Sequence, residues 1–339
     1  MPLLHPIDRL RAIERFEAIP RLALGHYPTP IEKLPRFREA LLGKGGKGPR
    51  LWIKRDDYSG AGFGGNKVRK LEYVLAAAQA DGVDAVITCG GVRSNHCRVT
   101  AMLAARLGME CVLVMNQPAT PYPAKPASLA IEEWVGARVI PVYRREDRAP
   151  EMECAAERLR KEGRNPLVIP LGASAPLGAM GFVSAAAELA AQMEGKEIPF
   201  DVVFVCSSSG GTQSGLEAGR QLFWKPDVRL IGVSPDDPTD SIESTVRSIL
   251  EGVGPMLGCT FDVVPEVWDG YIGDGYGIES PGGREALSLL ARTEGILLDP
   301  VYTAKAMAGL IEAVRTGQID ADARVLFWHT GGQMALFHE

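Results

Sequence analysis

Short apolar runs rich in valine, isoleucine and leucine recur along this chain. Between them lie longer stretches in which apolar positions return every three or four residues. "DAVITCGG", ending at Gly91, reads as a buried strand, and "SNHCRVTAMLAARLG" as a helix closing on Gly108. "MECVLVMN" then reads as a strand, "SLAIEEWVG" as a helix, "ARVIPVY" as a strand, "APEMECAAERLRKEG" as a helix and "NPLVIPLG" as a strand. Strands that are apolar throughout and alternate with amphipathic helices predict an α/β fold, a parallel sheet with helices on its faces. After the glycine-rich join "GASAPLGAMG" the pattern resumes, with "FVSAAAELAAQM" as a helix and "FDVVFVCSSSGGTQSGLEAGRQL" as strand, loop and helix. "RLIGVSP" and "RVLFWHTGG" supply further strands. Two open parallel-sheet domains meeting around Ser174–Gly181 are expected, with the cleft between them as the ligand site.

Length and composition agree with that picture. A chain of 339 residues with 46% hydrophobic content suits two globular domains. A net charge of −5 makes neither nucleic acid nor an anionic membrane an expected partner. The cysteines (Cys89, Cys97, Cys111, Cys154, Cys206, Cys259) are scattered, without C-x-x-C or Cys/His spacing, so no zinc site or disulfide framework is expected. No apolar run is long enough to span a bilayer, and the charged start "MPLLHPIDRLRAIERF" has no signal-peptide core. A cytoplasmic location follows as the expectation.

The loops between these elements carry the candidate chemistry. "CSSSGGTQSG" follows a buried strand and opens a helix near Gln213, so backbone N–H groups and the helix dipole favour an anion there. Ser208, Ser209 and Thr212 add hydroxyls, while Gly210 and Gly211 allow close approach. Without a Walker lysine or G-x-G-x-x-G spacing, a phosphomonoester is preferred to ATP or NAD. In "GGVRSNHCR", Ser94 and Asn95 serve either as helix caps or as ligand contacts, and His96 reads more simply as a packed helix residue. "WHTGG" places Thr330 at a strand end. "GGNKVRK" puts Lys67 directly behind two glycines and an asparagine, with Lys70 three residues later. These lysines belong either to a solvated first turn or to a carbonyl cofactor and an anionic group beside it. Together, the three loops and the lysine fit pyridoxal 5'-phosphate, whose aldehyde needs a lysine and whose phosphate needs an N–H-rich loop.

"IKRDD", "GGNKVRKLE", "SNH", "SSSGGTQSG", "DPVYTAKAMAGL" and "HTGG" stand in this order along nearly the whole chain, from Pro28 in "PTPIEKL" to Gly332. In that combination the sequence resembles the D-cysteine desulfhydrase and 1-aminocyclopropane-1-carboxylate deaminase family. The resemblance implies the tryptophan-synthase-β-like (fold type II) architecture and a homodimer. It implies a large cofactor domain of residues 1–69 and 180–339, with a small α/β domain of residues 70–179. It further makes Lys67 the Schiff-base lysine, rather than Lys54 in the strand-like "WIKRDD". Lys70 reaches the phosphate held by Ser208, Ser209, Gly210, Gly211 and Thr212, and Asn95 meets the cofactor's phenolic oxygen. Ser94 contacts the substrate carboxylate or assists proton transfer, Tyr276 and Tyr302 line the substrate side, and Thr330 meets the pyridine nitrogen. His96 and Thr303 are counted with the substrate-side residues.

Within this family, deaminases typically carry glutamate and leucine where this chain has Thr303 and Thr330. A hydroxyl does not stabilise a ring-nitrogen proton as a carboxylate does, so the threonines favour β-elimination of a good leaving group. The resemblance thus implies a carbon–sulfur lyase of the D-cysteine desulfhydrase kind, giving pyruvate, ammonia and sulfide. A deaminase, a lyase for an anionic analogue such as L-cysteate, a racemase on the same scaffold and a cofactor-binding protein without turnover stay open. Arg93 stands where relatives usually have glutamine. It is either a cleft residue for a carboxylate or sulfonate or a domain-bridging arginine.

Overall fold

The computed structural model describes residues 4–117, 126–193 and 200–337. In chain order its strands are β1 (Ile31–Lys33), β2 (Arg50–Arg55), β3 (Ala85–Gly91), β4 (Glu110–Asn116) and β5 (Arg138–Val142). They continue with β6 (Pro166–Val168), β7 (Val202–Cys206), β8 (Arg229–Val233), β9 (Glu266–Trp268) and β10 (Arg324–His329). A 6-stranded sheet has the order β1-β2-β10-β7-β8-β9, and a 4-stranded sheet the order β5-β4-β3-β6. Every pairing is parallel except that of the edge strand β1, which runs antiparallel to β2. Central strands such as β7 and β3 are apolar and buried because helices cover both faces of a parallel sheet. The α/β fold expected from the sequence is therefore observed.

The helices are α1 (Pro6–Glu17), α2 (Pro35–Leu42), α3 (Asn66–Ala80), α4 (Asn95–Arg106), α5 (Ala127–Trp134) and α6 (Arg148–Lys161). They continue with α7 (Pro176–Met193), α8 (Gly211–Phe223), α9 (Thr239–Leu257), α10 (Pro281–Glu294) and α11 (Thr303–Arg315). One face of the larger sheet packs through Phe204 and Phe327 against Leu290, Met307 and Leu310 of α10 and α11. Its other face packs through Val203, Val205 and Trp328 against Phe182 of α7 and Leu216 of α8. On the smaller sheet, Val86 and Leu113 meet Leu71 and Leu75 of α3 and Leu103 of α4, while Ile87 and Val112 meet Ala155 and Leu159 of α6.

One expectation needs correction. The glycine-rich stretch "GASAPLGAMG" is not a plain join, since α7 already begins at Pro176 inside it. Its last glycine permits close helix contact: a Cβ at Gly181 would lie 2.3 Å from the carbonyl oxygen of Arg69. The glycines that suggested a loop let α7 cross α3 almost backbone to backbone.

Beneath that crossing lies a buried polar network. Arg69 of α3 donates to Asp56 Oδ1 and Oδ2, each at 2.8 Å, and to Glu188 Oε2 of α7 at 2.8 Å. Asp56 also accepts from Trp328 Nε1 of β10 at 2.8 Å and Thr29 Oγ1 at 2.8 Å. Lys54 of β2 donates to Glu188, to the Thr29 carbonyl at 2.8 Å and to Gln192 Oε1 at 2.6 Å. With its donors spent there, Lys54 is no competitor for the cleft.

Candidate active site

The carboxyl ends of the parallel strands of both sheets face one cleft of about 930 Å³, counting its open mouth. This is where ligands sit in open α/β sheets. Lys67 lies at its floor, on the first turn of α3. The "GGN" before it is a close-packing device. Gly65 has φ of +105°, its N–H donates to the Asp56 carbonyl at 2.8 Å, and a Cβ there would lie 2.8 Å from the Thr330 carbonyl oxygen. Asn66 N–H donates to that same carbonyl at 3.0 Å, so the end of β10 fixes the start of α3. Burial, the largest influence, lowers the Lys67 pKa to about 8. A substantial neutral, nucleophilic fraction then exists near neutrality.

The loop after β7 forms one wall. Ser209 Oγ lies 2.7 Å from Ser174 Oγ, and Thr212 Oγ1 accepts from Asn66 Nδ2 at 3.0 Å. Ser208 Oγ donates to Asp236 Oδ2 at 2.7 Å, while Ser207 Oγ is buried without a partner. Gly210 precedes α8, and Gly211 opens it, closer to the loop than the expected start near Gln213. Lys70 is buried and donates to Ser174 Oγ at 3.0 Å and the Gly172 carbonyl at 3.2 Å. Burial and the charge of Lys67 push its pKa well down. Among the described residues it makes no ion pair, so an anion in this loop would supply the charge it lacks.

The loop after β3 forms the opposite wall. Ser94 caps α4, accepting from Cys97 N–H at 3.2 Å, and also lines the cleft. Asn95 lines it too, and its Oδ1 is buried without a partner. Tyr276 and Tyr302 close the side, their hydroxyls 2.6 Å apart, and burial raises the pKa of both phenols. Thr330 completes the lining at the end of β10. Lys305 of α11 donates to the carbonyls of Pro235, Ile272 and Gly275 at 3.0, 2.7 and 2.8 Å, fixing the loop that carries Tyr276.

Three expected substrate contacts are engaged elsewhere. Thr303 is fully buried outside the cleft lining. Its hydroxyl donates to Asp299 Oδ1 at 2.7 Å, and Asp299 also accepts the N–H groups of Val301, Tyr302 and Thr303, closing the first turn of α11. Arg93 is likewise absent from the lining; its guanidinium donates to the Gly277 carbonyl at 3.4 Å and bridges the two sides. The cleft-facing option for Arg93 is therefore withdrawn. His96 does line the back wall, but Nε2 lies 2.7 Å from Thr88 Oγ1 and Nδ1 3.4 Å from Thr100 Oγ1. Burial pushes its pKa well down, which favours the neutral ring.

Sequence reading missed other lining residues: Cys206, Asp236, Asp237, Arg145 and Arg148. All stand at or just beyond the carboxyl ends of β5, β7 and β8, and that position was the signal available for them.

The donor set matches a phosphorylated carbonyl cofactor. A lysine amine depressed by burial and three residues with orphaned buried oxygens (Asn95 Oδ1, Ser207 Oγ and Asp236 Oδ1) line one cleft, and the Lys70 amine lies behind its wall, beside Gly211. The known proteins agree. Residues 22–331 match the family described as pyridoxal-phosphate dependent enzyme. The chain is 39% identical over 341 residues to a D-cysteine desulfhydrase of Salmonella newport (strain SL254), covering 99% of this chain and 98% of the relative. Among solved structures, an ACC deaminase homologue superposes with a TM-score of 0.85 at 33% identity, covering 99% of this chain and 97% of that one. The processed form of threonine deaminase isoform 2 from Solanum lycopersicum matches at a TM-score of 0.65 and 16% identity, covering 98% of this chain and 88% of that one. That last match is a likeness of fold.

Proposed function

The chain belongs to the pyridoxal-phosphate dependent enzymes, and from that premise we propose that it is a lyase acting on D-cysteine and related small amino acids. The reaction removes the α-proton and the β-substituent, then adds water to give pyruvate, ammonia and, from D-cysteine, sulfide. The observation that carries this reading is the Lys67 amine, depressed to about 8 at the floor of a cleft lined by hydroxyl groups.

Bound pyridoxal phosphate supplies an electron-accepting ring that stabilises negative charge at the substrate Cα. Lys67 is the covalent anchor and, when released, the base that takes the α-proton. Ser208 to Thr212 and Lys70 hold the phosphate, and the Asn95 side-chain amide donates to the phenolic oxygen of the ring. Thr330 offers the ring nitrogen a neutral hydroxyl rather than a carboxylate, which suits expulsion of a good leaving group. Ser94 receives the substrate carboxylate or assists proton transfer. The Tyr276–Tyr302 pair, kept protonated by burial, hydrogen-bonds the substrate side. The same reading takes residues 1–69 and 180–339 as the cofactor domain, residues 70–179 as the small domain, and the protein as a cytoplasmic homodimer.

Release of pyruvate, ammonia and sulfide from D-cysteine by the purified protein tests this reading. A racemase would invert the amino acid without keto acid, and a deaminase would release 2-oxobutyrate from the cyclopropane substrate. A second expectation concerns pH. Only neutral Lys67 attacks the aldehyde, so covalent cofactor uptake, followed by absorbance, should rise about tenfold per unit below pH 8 and level off above it. A midpoint near 10 would mean that the amine is solvated.

A further inference from the structure

We propose that Gly91 sets the substrate range of the cleft: the corner it leaves bare beside Tyr276 receives a methyl-sized branch on the carbon that bears the leaving group. The inference rests on the lyase reading and deepens it, naming β-branched amino acids as a substrate class.

Among the described residues five glycines line the cleft, and for four of them the fold itself supplies the reason. Gly172, Gly210 and Gly331 hold φ of +68°, +73° and +87°, a region unfavourable for any side chain. Gly90 lies within β3, where a Cβ would stand 2.5 Å from Ser94 Oγ and 2.7 Å from Cys97 Sγ. Gly91 has neither reason. It is the last residue of β3, paired with Asn116 of β4, and its φ is outside the left-handed region. A Cβ there would meet Tyr276 Cε1 at 3.6 Å and the Tyr276 hydroxyl oxygen at 3.9 Å, ordinary van der Waals distances. Alanine would thus suit both the backbone and the packing, and it would lose less conformational entropy on folding. What alanine would take away is the corner of the cleft between β3 and the tyrosine ring.

That corner offers carbon. The Gly91 carbonyl already accepts from Ser94 N–H at 2.9 Å, and the Tyr276 hydroxyl is joined to that of Tyr302 at 2.6 Å. The glycine Cα and the edge of the tyrosine ring remain, a surface for an alkyl group rather than a hydroxyl or a charge. Ser94 belongs to the same turn as Gly91, so a substrate carboxylate received at Ser94 brings the side-chain carbon towards the corner.

For 2-amino-3-sulfanylbutanoate, which is cysteine with a methyl on Cβ, the balance closes without an oxidant or reductant. The Cα–H proton is removed, the Cβ–S bond breaks with its electron pair on sulfur, the hydrosulfide is protonated, and water displaces ammonia. Substrate and water thus give 2-oxobutyrate, ammonium and hydrogen sulfide.

The test uses the holoenzyme. Rates of keto-acid release, as kcat/KM, are measured for D-cysteine and β-chloroalanine and for their β-methyl counterparts. The wild type should consume the branched compounds. The ratio of branched to unbranched substrates should fall about ten- to two-hundred-fold in Gly91→Ala, the range one carbon is worth in a tight pocket. Gly91→Ser, of similar size, should behave alike. An unchanged ratio, or equal losses on both classes, would overturn the proposal. Loss of cofactor absorbance in the variants would assign the glycine to the cofactor, with the same consequence. So would a wild-type enzyme that consumes D-cysteine but neither consumes nor binds the branched compounds. If neither class gives a keto acid, the elimination reading fails by itself. The corner is then judged by binding, from the cofactor absorbance change on adding alanine or 2-aminobutyrate, its β-methyl counterpart. Selective loss of 2-aminobutyrate binding in Gly91→Ala would uphold the corner, and parallel affinities would overturn it.

Discussion

Exchange of Lys67 for alanine should lower pyruvate release by at least about a thousandfold and leave any retained cofactor outside a covalent bond. Two functions end together, covalent anchoring and α-proton removal, and general base catalysis alone contributes roughly 10²–10⁴-fold. Lys67→Arg should fail equally, because a guanidinium stays charged and is not a nucleophile at neutral pH. Borohydride reduction of the wild type followed by peptide mapping checks the assignment directly. Lys54 is enclosed by Glu188, Gln192 and the Thr29 carbonyl, and Lys70 by Ser174 and the Gly172 carbonyl. An adduct on either would sink the Lys67 role.

The largest stability effect is expected at Asp56, which is fully buried and outside the cleft lining. Asp56→Ala leaves the buried Arg69 guanidinium without its bidentate partner and the Trp328 indole N–H without an acceptor. Removing one partner of a buried pair costs about 3–5 kcal/mol, which a denaturation midpoint reads easily. Glu188 still faces Arg69, so the loss belongs at the lower end of that range. A loss below about 1 kcal/mol would mean that water or a repacked Glu188 replaces Asp56. Burial by itself would raise the Asp56 pKa, but the charge and hydrogen bonds of Arg69 outweigh it and hold the carboxyl below its ordinary range. A depressed folded-state pKa contributes stability above the unfolded value, near pH 4, and the contribution disappears as the solution is acidified below it.

Much of this was legible before any coordinates. Apolar runs such as "DAVITCGG" and "FDVVFVC" read as buried strands, their alternation with helices implied a parallel sheet, and "SSSGGTQSG" and "GGNK" stood out as loops next to them. Side-chain direction was not legible. Thr303 follows Tyr302 by one residue, yet one lines the cleft and the other is consumed by Asp299, because α11 begins between them. Arg93 precedes Ser94, and its reach to Gly277 depends on a segment 184 residues away. Arg145 and Arg148 sit in the ordinary-looking charge run "RREDR". Only the packing of the small sheet against the large one brings that run to Tyr276. The glycines of "GASAPLGAMG" misled for a related reason. Alone they resemble a loop, and only the neighbouring helix shows why a side chain could not stand there.

The crossing of α3 and α7 at Gly181 determines how the floor of the cleft is held. The first turn of α3 is held by the carbonyls of Asp56 and Thr330, and its second turn rests against α7 without an intervening side chain. Lys67 is therefore bolted to the frame of the larger sheet. The opposite wall, with the Ser94 loop, is built instead on the strand ends of the smaller sheet. The amine and the hydroxyl that faces it across the cleft thus take their positions from different sheets.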